Sequence, residues 1–414
     1  MNGRLDNIRT GQEEPLRPKT TDWSISAVIS GFLAVLISYA GPLVIFFQAA
    51  SIGNIANEMM VSWIWGISIG AGISGIFLSW WLKVPVVTAW SAPGTVLLIS
   101  LFPEITMNQV VGAYLSSALL LFIIGITGYF DKAVHLIPHG IAAGMIAGIL
   151  LQFGLRAFEA SALSPLLSLG MILAYILSRR YLPRYNIVIV ATVGFAIAFL
   201  LDKTNLGILS PKLAMPILIA PDFDFATFLS FTIPLTLVSL TGQFLPGMTI
   251  LNLAGYRVPA KAIIVITALA SVLVAFTGGI TIVLAAITAA ICTGKDAHED
   301  QKKRYVAGIS NGLFYLIGGL FAGTIVMLFT ALPKELITIL AGLALIGAIT
   351  ANLTIVIEDT KHREASLITF LATASGMSMW GLGSAFWGIV IGLLAFFIMS
   401  RNTPLPKKNH HEKR

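Results

Sequence analysis

The stretch VVTAWSAPGTVLL at residues 86–98 places residues that could do chemistry inside an otherwise apolar run. Serine is a favoured helix N-cap and proline suits the first helical turn, so Ser91 and Pro93 predict a half-helix that begins near Ser91. The apolar residues before it predict an extended arm. The free N–H groups of such a half-helix, together with its macrodipole, predict one side of an anion-binding site.

A second stretch, FTGGITIVLAAITAAICTG, repeats this plan at residues 276–294. Its glycines and β-branched residues predict another extended arm, followed by a half-helix that begins near Ala285. Two helix N-termini that face each other would hold a carboxylate through backbone N–H groups. The residues expected to supply those groups are Ser91, Ala92, Ala286, Ile287 and Thr288. The alternative interpretation is that Pro93 only kinks one packed helix.

Few polar side chains accompany these helix ends, and they predict the rest of the pocket. Gln243, in the middle of LTGQFLPG, presents a neutral amide that can hydrogen-bond a carboxylate or carboxylic acid, or else a neighbouring helix. Trp90, Phe46 and Phe244 could sandwich an aromatic ring, or they could pack against lipid and the protein core. The other polar residues expected at the site are Tyr39, Gln48 and Asn252.

The composition distinguishes a membrane protein from a soluble one. The chain is 57% hydrophobic and only 11% charged, whereas soluble domains carry roughly 25% charged residues. Its single cysteine, Cys292, excludes a disulfide framework and a multi-cysteine metal site, and no cofactor is expected. The chain is therefore predicted to be an all-α membrane protein.

Fourteen apolar segments can be counted along the chain. They run over 24–47, 60–80, 86–101, 108–128, 139–155, 161–178, 186–201, 227–252, 260–277, 280–293, 305–329, 335–356, 364–378 and 382–399. The third and tenth segments, which contain the two half-helices, are shorter than the roughly 20 residues that a crossing helix needs. The others are long enough to span.

The basic residues support this count. With a cytoplasmic N-terminus, all but Arg156, Lys203, Lys212 and Lys334 of the 26 Lys and Arg residues fall on the cytoplasmic side. Both termini are therefore expected in the cytoplasm, and the basic tail is expected to lie at anionic lipid headgroups. The net charge of +7 reflects this topology and does not indicate a nucleic-acid partner.

Fourteen segments divide into two units of seven, and an odd number inverts the second unit in the membrane. The predicted divisions are a tail over 1–22, a first repeat over 23–201, an outer connector over 202–226, a second repeat over 227–400, and a basic tail over 401–414. Short segments in matching positions of two halves indicate a binding site. No ionisable residue lies well inside a segment, which argues against a multiply charged substrate and against an intramembrane enzyme.

Three motifs carry a resemblance to a known family. The stretches TAWSAPG, TGQFLPG with a following NLAGY, and AAICTGKDAHED resemble the BenE family of bacterial benzoate transporters. The resemblance implies the inverted-repeat architecture of the uracil permease type, with segments 1–4 and 8–11 as a core domain and segments 5–7 and 12–14 as a gate domain. It also implies a benzoate–proton symporter of the bacterial inner membrane, which could form a homodimer.

One departure bears on the substrate. In the uracil permease type, segments eight and ten carry acidic residues that hold the nucleobase, but here they read LTGQFLPG and VLAAITA. This difference favours an aromatic monocarboxylate over a nucleobase. The rival hypothesis is an anion channel, or a sulfate-type anion carrier or exchanger, of the same architecture.

Two mechanisms of proton coupling are compatible with the sequence. In the first, which we favour, the proton travels on the weak acid itself. In the second, Asp296 and His298 in CTGKDAHED relay protons at the inner mouth, because the negative end of a helix dipole disfavours the charged form of Asp296. Otherwise the stretch is a solvated loop whose acidic residues balance Lys302, Lys303 and Arg304.

Overall fold

The computed structural model describes residues 22–102, 104–135, 137–208 and 210–400, so the two predicted tails lie outside the described residues except for residue 22. The elements of the first half are α1 (Ile25–Ala40), α2 (Val44–Ile52), α3 (Asn57–Leu82), β1 (Thr88–Trp90), α4 (Ala92–Leu101), α5 (Met107–Thr127), α6 (Phe130–His135), α7 (His139–Glu159), α8 (Pro165–Tyr181) and α9 (Asn186–Leu200). A turn at Gly41 and Pro42 separates α1 from α2, so the first predicted segment is a broken helix.

The second half again has a long first segment and an extended arm followed by a short helix, but its fourth segment is a bent pair where α5 is unbroken. Its elements are α10 (Phe225–Thr227), α11 (Ile233–Ser239), α12 (Leu245–Leu253), α13 (Ala260–Ala275), β2 (Ile282–Leu284), α14 (Ile287–Thr293), α15 (Tyr305–Leu320), α16 (Ala322–Thr330), α17 (Lys334–Glu358), α18 (Arg363–Ala374) and α19 (Ser384–Ser400). Two π-helical turns, Phe228–Thr232 and Leu240–Phe244, join α10, α11 and α12 into one long segment.

Seven of the described helical segments are long and apolar enough to cross a membrane, and an eighth is obtained if the bent pair α15–α16 counts as one. Each of the predicted segments contains at least one of these or the shorter helices. The predicted segment 364–378 contains only the short helix α18. Helix α18 has 12 residues, or about 18 Å of helix, whereas the hydrocarbon core is about 30 Å thick.

The helices pack as two groups. We call α1–α5 with α11–α16 the core bundle, and α7–α9 with α17–α19 the gate bundle. In the core bundle, α3 packs against α13 and α15, and α1 packs against α14 and α15. In the gate bundle, α7 packs against α17 and α18, and α19 packs against α18.

The two extended arms meet inside the core bundle as a two-stranded antiparallel sheet. The paired residues are Thr88 with Leu284, Ala89 with Val283, and Trp90 with Ile282. Two further hydrogen bonds extend the pair, from Ser91 N–H to the Thr281 carbonyl (3.0 Å) and from Ala285 N–H to the Val87 carbonyl (2.9 Å). The sequence predicted both arms, but not that each satisfies the backbone of the other.

Serine hydroxyls satisfy backbone groups that the strand pair leaves on the outside of each arm. Ser79 of α3 accepts a hydrogen bond from Val86 N–H (3.1 Å) and donates one to the Val86 carbonyl (3.0 Å). Ser271 of α13 accepts one from Ile282 N–H (2.8 Å). Since α3 precedes the first arm as α13 precedes the second, the two serines occupy corresponding places in the two halves. Extended backbone inside a membrane is tolerated only with such partners.

We expect Ser79→Ala and Ser271→Ala to destabilise the protein, because the first removes the hydroxyl that donates to the buried Val86 carbonyl and the second removes the one that accepts from the buried Ile282 N–H. The cost of a buried backbone group without a partner is about 1–3 kcal/mol. The measurement is the midpoint of thermal unfolding in detergent. Ser168→Ala is the matched control, since the Ser168 hydroxyl is also buried but bonds only to the Ser164 carbonyl of its own helix (2.9 Å). Equal midpoints for all three variants would contradict a role for these serines in holding the arms.

Candidate functional site

The first half-helix begins where the sequence predicted. Ser91 is the N-cap of α4, and its hydroxyl oxygen accepts a hydrogen bond from Gly94 N–H (3.2 Å), while Pro93 lies in the first turn. Ser91 is fully buried, whereas Ala92 is only partly buried. The positive end of the α4 dipole is therefore held rigidly beside the end of the strand pair.

The second half-helix, α14, begins at Ile287, two residues after the predicted position. Its N-cap residue, Ala286, has no side-chain oxygen that could cap the helix, so the N–H groups of the first turn have no such partner. Thr288 in that turn is 6% exposed. Because β1 and β2 pair antiparallel, α4 and α14 start from opposite ends of the pair, and their N-termini are both next to it.

An aromatic cluster surrounds Trp90 at the end of β1. Tyr39 of α1 stacks on the Trp90 indole with ring centroids 6.0 Å apart, and Phe46 of α2 meets the indole edge to face at 6.3 Å. Tyr315 of α15 contacts both Trp90 and Tyr39 at 5.8 Å. Sequence reasoning included Trp90, Tyr39 and Phe46 but missed Tyr315, whose only local signal is a tyrosine in an apolar helix.

Buried polar atoms at this position lack a hydrogen-bond partner in the described part of the chain. Among them are the indole Nε1 of Trp90 and the hydroxyl of Thr281, the residue whose carbonyl pairs with Ser91. Trp90 is 3% exposed and Thr281 is fully buried. Since buried polar groups are nearly always satisfied, such a pair is typical of a site that a ligand completes.

Gln243 lies in the π-helical turn Leu240–Phe244 in the middle of the eighth segment. Its side chain is half-buried and makes no hydrogen bond to another described residue, so the predicted alternative of a helix–helix hydrogen bond is not seen here. π-Turns are rare and occur frequently at functional sites, because they change the direction of the side chains they carry. Local residue types gave no signal for this turn.

Three other predicted residues lie apart from Trp90. Phe244 is fully buried in a separate apolar cluster with Val86, Leu251 and Leu284, so it does not form a sandwich with Trp90 and Phe46. Gln48 lines a cavity at the far end of α2. Asn252 is exposed near the end of α12. Gln48 and Asn252 match each other in the two halves, but the structure does not bring them together.

Arg304 holds the loop after α14 in place. In the sequence, Arg304 counts only as one of the basic residues on the cytoplasmic side. The Arg304 guanidinium is 7% exposed and donates to the carbonyls of Thr293 (2.9 Å), His298 (2.7 Å) and Glu299 (3.3 Å). A cation at a helix C-terminus stabilises the negative end of its dipole. Arg304 therefore fixes the end of α14 that lies away from the strand pair.

The two residues considered for a proton relay lie in this loop. The Asp296 carboxylate forms an ion pair with Arg184, at 2.5 Å, and the Asp296 side chain is 78% exposed. Because Arg184 precedes α9, this contact joins the core bundle to the gate bundle. His298 Nδ1 accepts a hydrogen bond from Asp300 N–H (3.0 Å), an arrangement that requires the unprotonated nitrogen.

Comparisons with known sequences identify close relatives. The chain matches the family described as BenE, benzoate membrane transport protein, over residues 21–398. The "Benzoate membrane transport protein" of Acinetobacter baylyi is 58% identical over 384 residues, which are 93% of this chain and 98% of the relative. The "Inner membrane protein YdcO" of Escherichia coli is 37% identical over 373 residues, covering 90% and 95% of the two chains.

Solved structures share the fold at low sequence identity. SLC26A9 matches with a TM-score of 0.61 and 14% identity over 92% of this chain, which spans 66% of the SLC26A9 chain. The transmembrane domain of a cyanobacterial bicarbonate transporter, BicA, matches with a TM-score of 0.58 and 14% identity, covering 89% of this chain and 96% of that domain. The inverted-repeat architecture expected from the sequence is therefore shared with these proteins.

Proposed function

Because this chain belongs to the family of benzoate membrane transport proteins, we propose that it imports benzoate or a similar aromatic monocarboxylate together with protons. The observation that carries the proposal is the aromatic cluster at Trp90, placed directly before the N-terminus of α4. An apolar ring binds aromatic side chains, and a carboxylate binds helix N-termini. One small molecule with both parts fits both features.

The proposed contacts follow the two parts of the ligand. Its carboxylate is held by the backbone of the two half-helices, with the Gln243 amide and the Trp90 indole N–H as further donors. Its ring lies against the Trp90, Tyr39 and Phe46 side chains. The residues proposed to supply the backbone part are Ala92, Ala286, Ile287 and Thr288. Ser91 was predicted to supply another N–H group, but that group already donates to the Thr281 carbonyl, so Ser91 acts as the N-cap of α4 instead. In the present conformation the rings contact one another, so binding requires the cluster to open.

We further propose the membrane arrangement that the basic residues indicate. The chain crosses the bacterial inner membrane fourteen times, with both termini in the cytoplasm and residues 202–226 outside. Transport then consists of movement of the core bundle against the gate bundle, which exposes the site to each side in turn. The relative named as an inner membrane protein supports the location.

For coupling, we propose that the substrate carries the proton. No Asp, Glu or His lies in the predicted segments 86–101 and 227–252, which carry Trp90, Ser91 and Gln243. A weak aromatic acid can cross an apolar pocket in its neutral form. The contacts at the inner mouth support this choice. The Asp296 carboxylate is already paired with Arg184, and His298 Nδ1 is already an acceptor.

An anion channel or sulfate-type carrier is the second candidate, supported by the fold shared with a bicarbonate transporter. Purified protein in proteoliposomes separates the two. Under an inward proton gradient we expect accumulation of benzoate, weaker accumulation of cyclohexane carboxylate, and none of uracil or sulfate. Sulfate flux that benzoate does not inhibit, with no benzoate uptake, would support the channel or carrier and overturn the proposal.

We expect Gln243→Leu to weaken benzoate binding about tenfold to a hundredfold, because a hydrogen bond to a charged group contributes about 1.5–3 kcal/mol. The measurement is the dissociation constant in detergent. Thr241→Val is the control, since Thr241 lies in the same π-turn but its hydroxyl bonds to the Leu237 carbonyl (2.8 Å). Unchanged affinity in a folded Gln243→Leu variant would remove Gln243 from the site.

We expect Asp296→Asn and His298→Gln to keep accumulating benzoate against its gradient, because the proton travels with the substrate. Uptake under an imposed proton gradient is compared with exchange of labelled benzoate at equal pH. Arg184→Gln is measured in parallel, since it breaks the same ion pair from the gate side. If Asp296→Asn or His298→Gln exchanges benzoate but no longer accumulates it, a side-chain relay operates and the substrate-borne proton is wrong.

A further inference from the structure

A cavity lined by residues of α2, α7, α16 and α17 has no role in the proposed site. Its volume is about 590 Å³, within the range of about 300–1,000 Å³ typical of ligand pockets. The connector reaches its rim, because Asn205 N–H donates to the carbonyl of Ala331 (2.9 Å), next to the lining residues Thr330 and Leu332. The cavity therefore opens on the side that carries residues 202–226, and we call it the outer vestibule.

Two cations line the outer vestibule, Arg156 at the end of α7 and Lys334 at the start of α17. None of the other described residues that line it is Asp or Glu. Neither cation takes part in any of the ion pairs between described side chains. They are also two of the four basic residues that depart from the cytoplasmic bias of the sequence. Both belong to the gate bundle.

The opposite wall belongs to the core bundle and is aromatic. Phe47 of α2 and Phe329 of α16 stack with ring centroids 4.4 Å apart and planes inclined by 22°. Gln48 lies beside them, is 8% exposed, and has a side-chain Oε1 that is buried without a hydrogen-bond partner in the described part of the chain. An unsatisfied amide at the wall of a cavity indicates that something else completes its hydrogen bonds.

Helix α2 connects the outer vestibule with the Trp90 cluster. Phe47 and Gln48 line the vestibule, whereas the preceding residue, Phe46, contacts the Trp90 ring at 6.3 Å. Arg156 also lines a small cavity with Val96 and Ser100 of α4. The vestibule is therefore in contact with the outer ends of the elements that form the proposed binding site.

We propose that the outer vestibule is a docking site for the anion of an aromatic monocarboxylate, occupied before the ligand reaches Trp90. Arg156 and Lys334 attract and hold the carboxylate, and the ring lies on the Phe47–Phe329 pair. This inference rests on the proposed function and adds a second site for the same substrate. Positive charge at a cleft raises the local concentration of an anion and its rate of entry.

The test is the initial rate of benzoate uptake by the double variant Arg156→Gln, Lys334→Gln at low ionic strength. We expect KM to rise about tenfold while the maximal rate stays unchanged, because only capture of the anion is affected. Salt near physiological strength shortens the screening length to about 8 Å, so the difference between wild type and variant should shrink there.

Two control variants distinguish an effect of the vestibule's positive charge on KM from a structural effect of the substitutions. Lys212→Gln removes another connector-side cation that does not line the vestibule, and it should keep the wild-type KM. Arg156→Lys keeps the charge and should do the same. If the double variant and Lys212→Gln have equal KM at low salt, the docking site is overturned while benzoate transport stands. If the wild type takes up no benzoate, the proposed function fails, and the docking site fails with it.

Discussion

The structure depends on how backbone groups are satisfied where a helix stops inside the membrane. Two short arms, β1 and β2, solve this by pairing with each other, and Ser79 and Ser271 bond groups on their outer sides. Once those bonds are made, the starting points of α4 and α14 are fixed. The location of the helix dipoles therefore follows from backbone hydrogen bonding and requires no charged side chain in the apolar interior.

The chemistry of the proposed site follows from that arrangement. A helix N-terminus offers partial positive charge at a small desolvation cost, which suits a substrate with a single weak acidic group. Aromatic side chains from α1, α2 and α15 converge on Trp90 because that residue ends the first arm. Full charges lie at the ends of the predicted segments instead, among them Arg156, Lys334, Arg184 and Asp296.

Local sequence predicted the features that depend on local chemistry. Ser91 and Pro93 identified the start of α4, because capping and proline preferences act within one turn. The pairing of Trp90 with Ile282, the place of Ser271 and the buried bonds of Arg304 could not be predicted, since each joins distant residues or depends on tertiary packing. The separation of Phe244 from Trp90 depends on the register of a helix that contains two π-turns, which residue types do not indicate. The resemblance of three motifs correctly identified the family.

The strand pair also has a consequence for biosynthesis. Trp90 and Ile282 are separated by about 190 residues, so the first arm leaves the ribosome long before its partner exists. At about 5–20 residues per second, translation of the intervening chain takes about 10–40 s. Throughout that interval the first arm lacks the hydrogen bonds to β2 and has only bonds from its own half, such as those of Ser79. The insertion machinery must therefore shelter a half-formed membrane segment until the second half arrives.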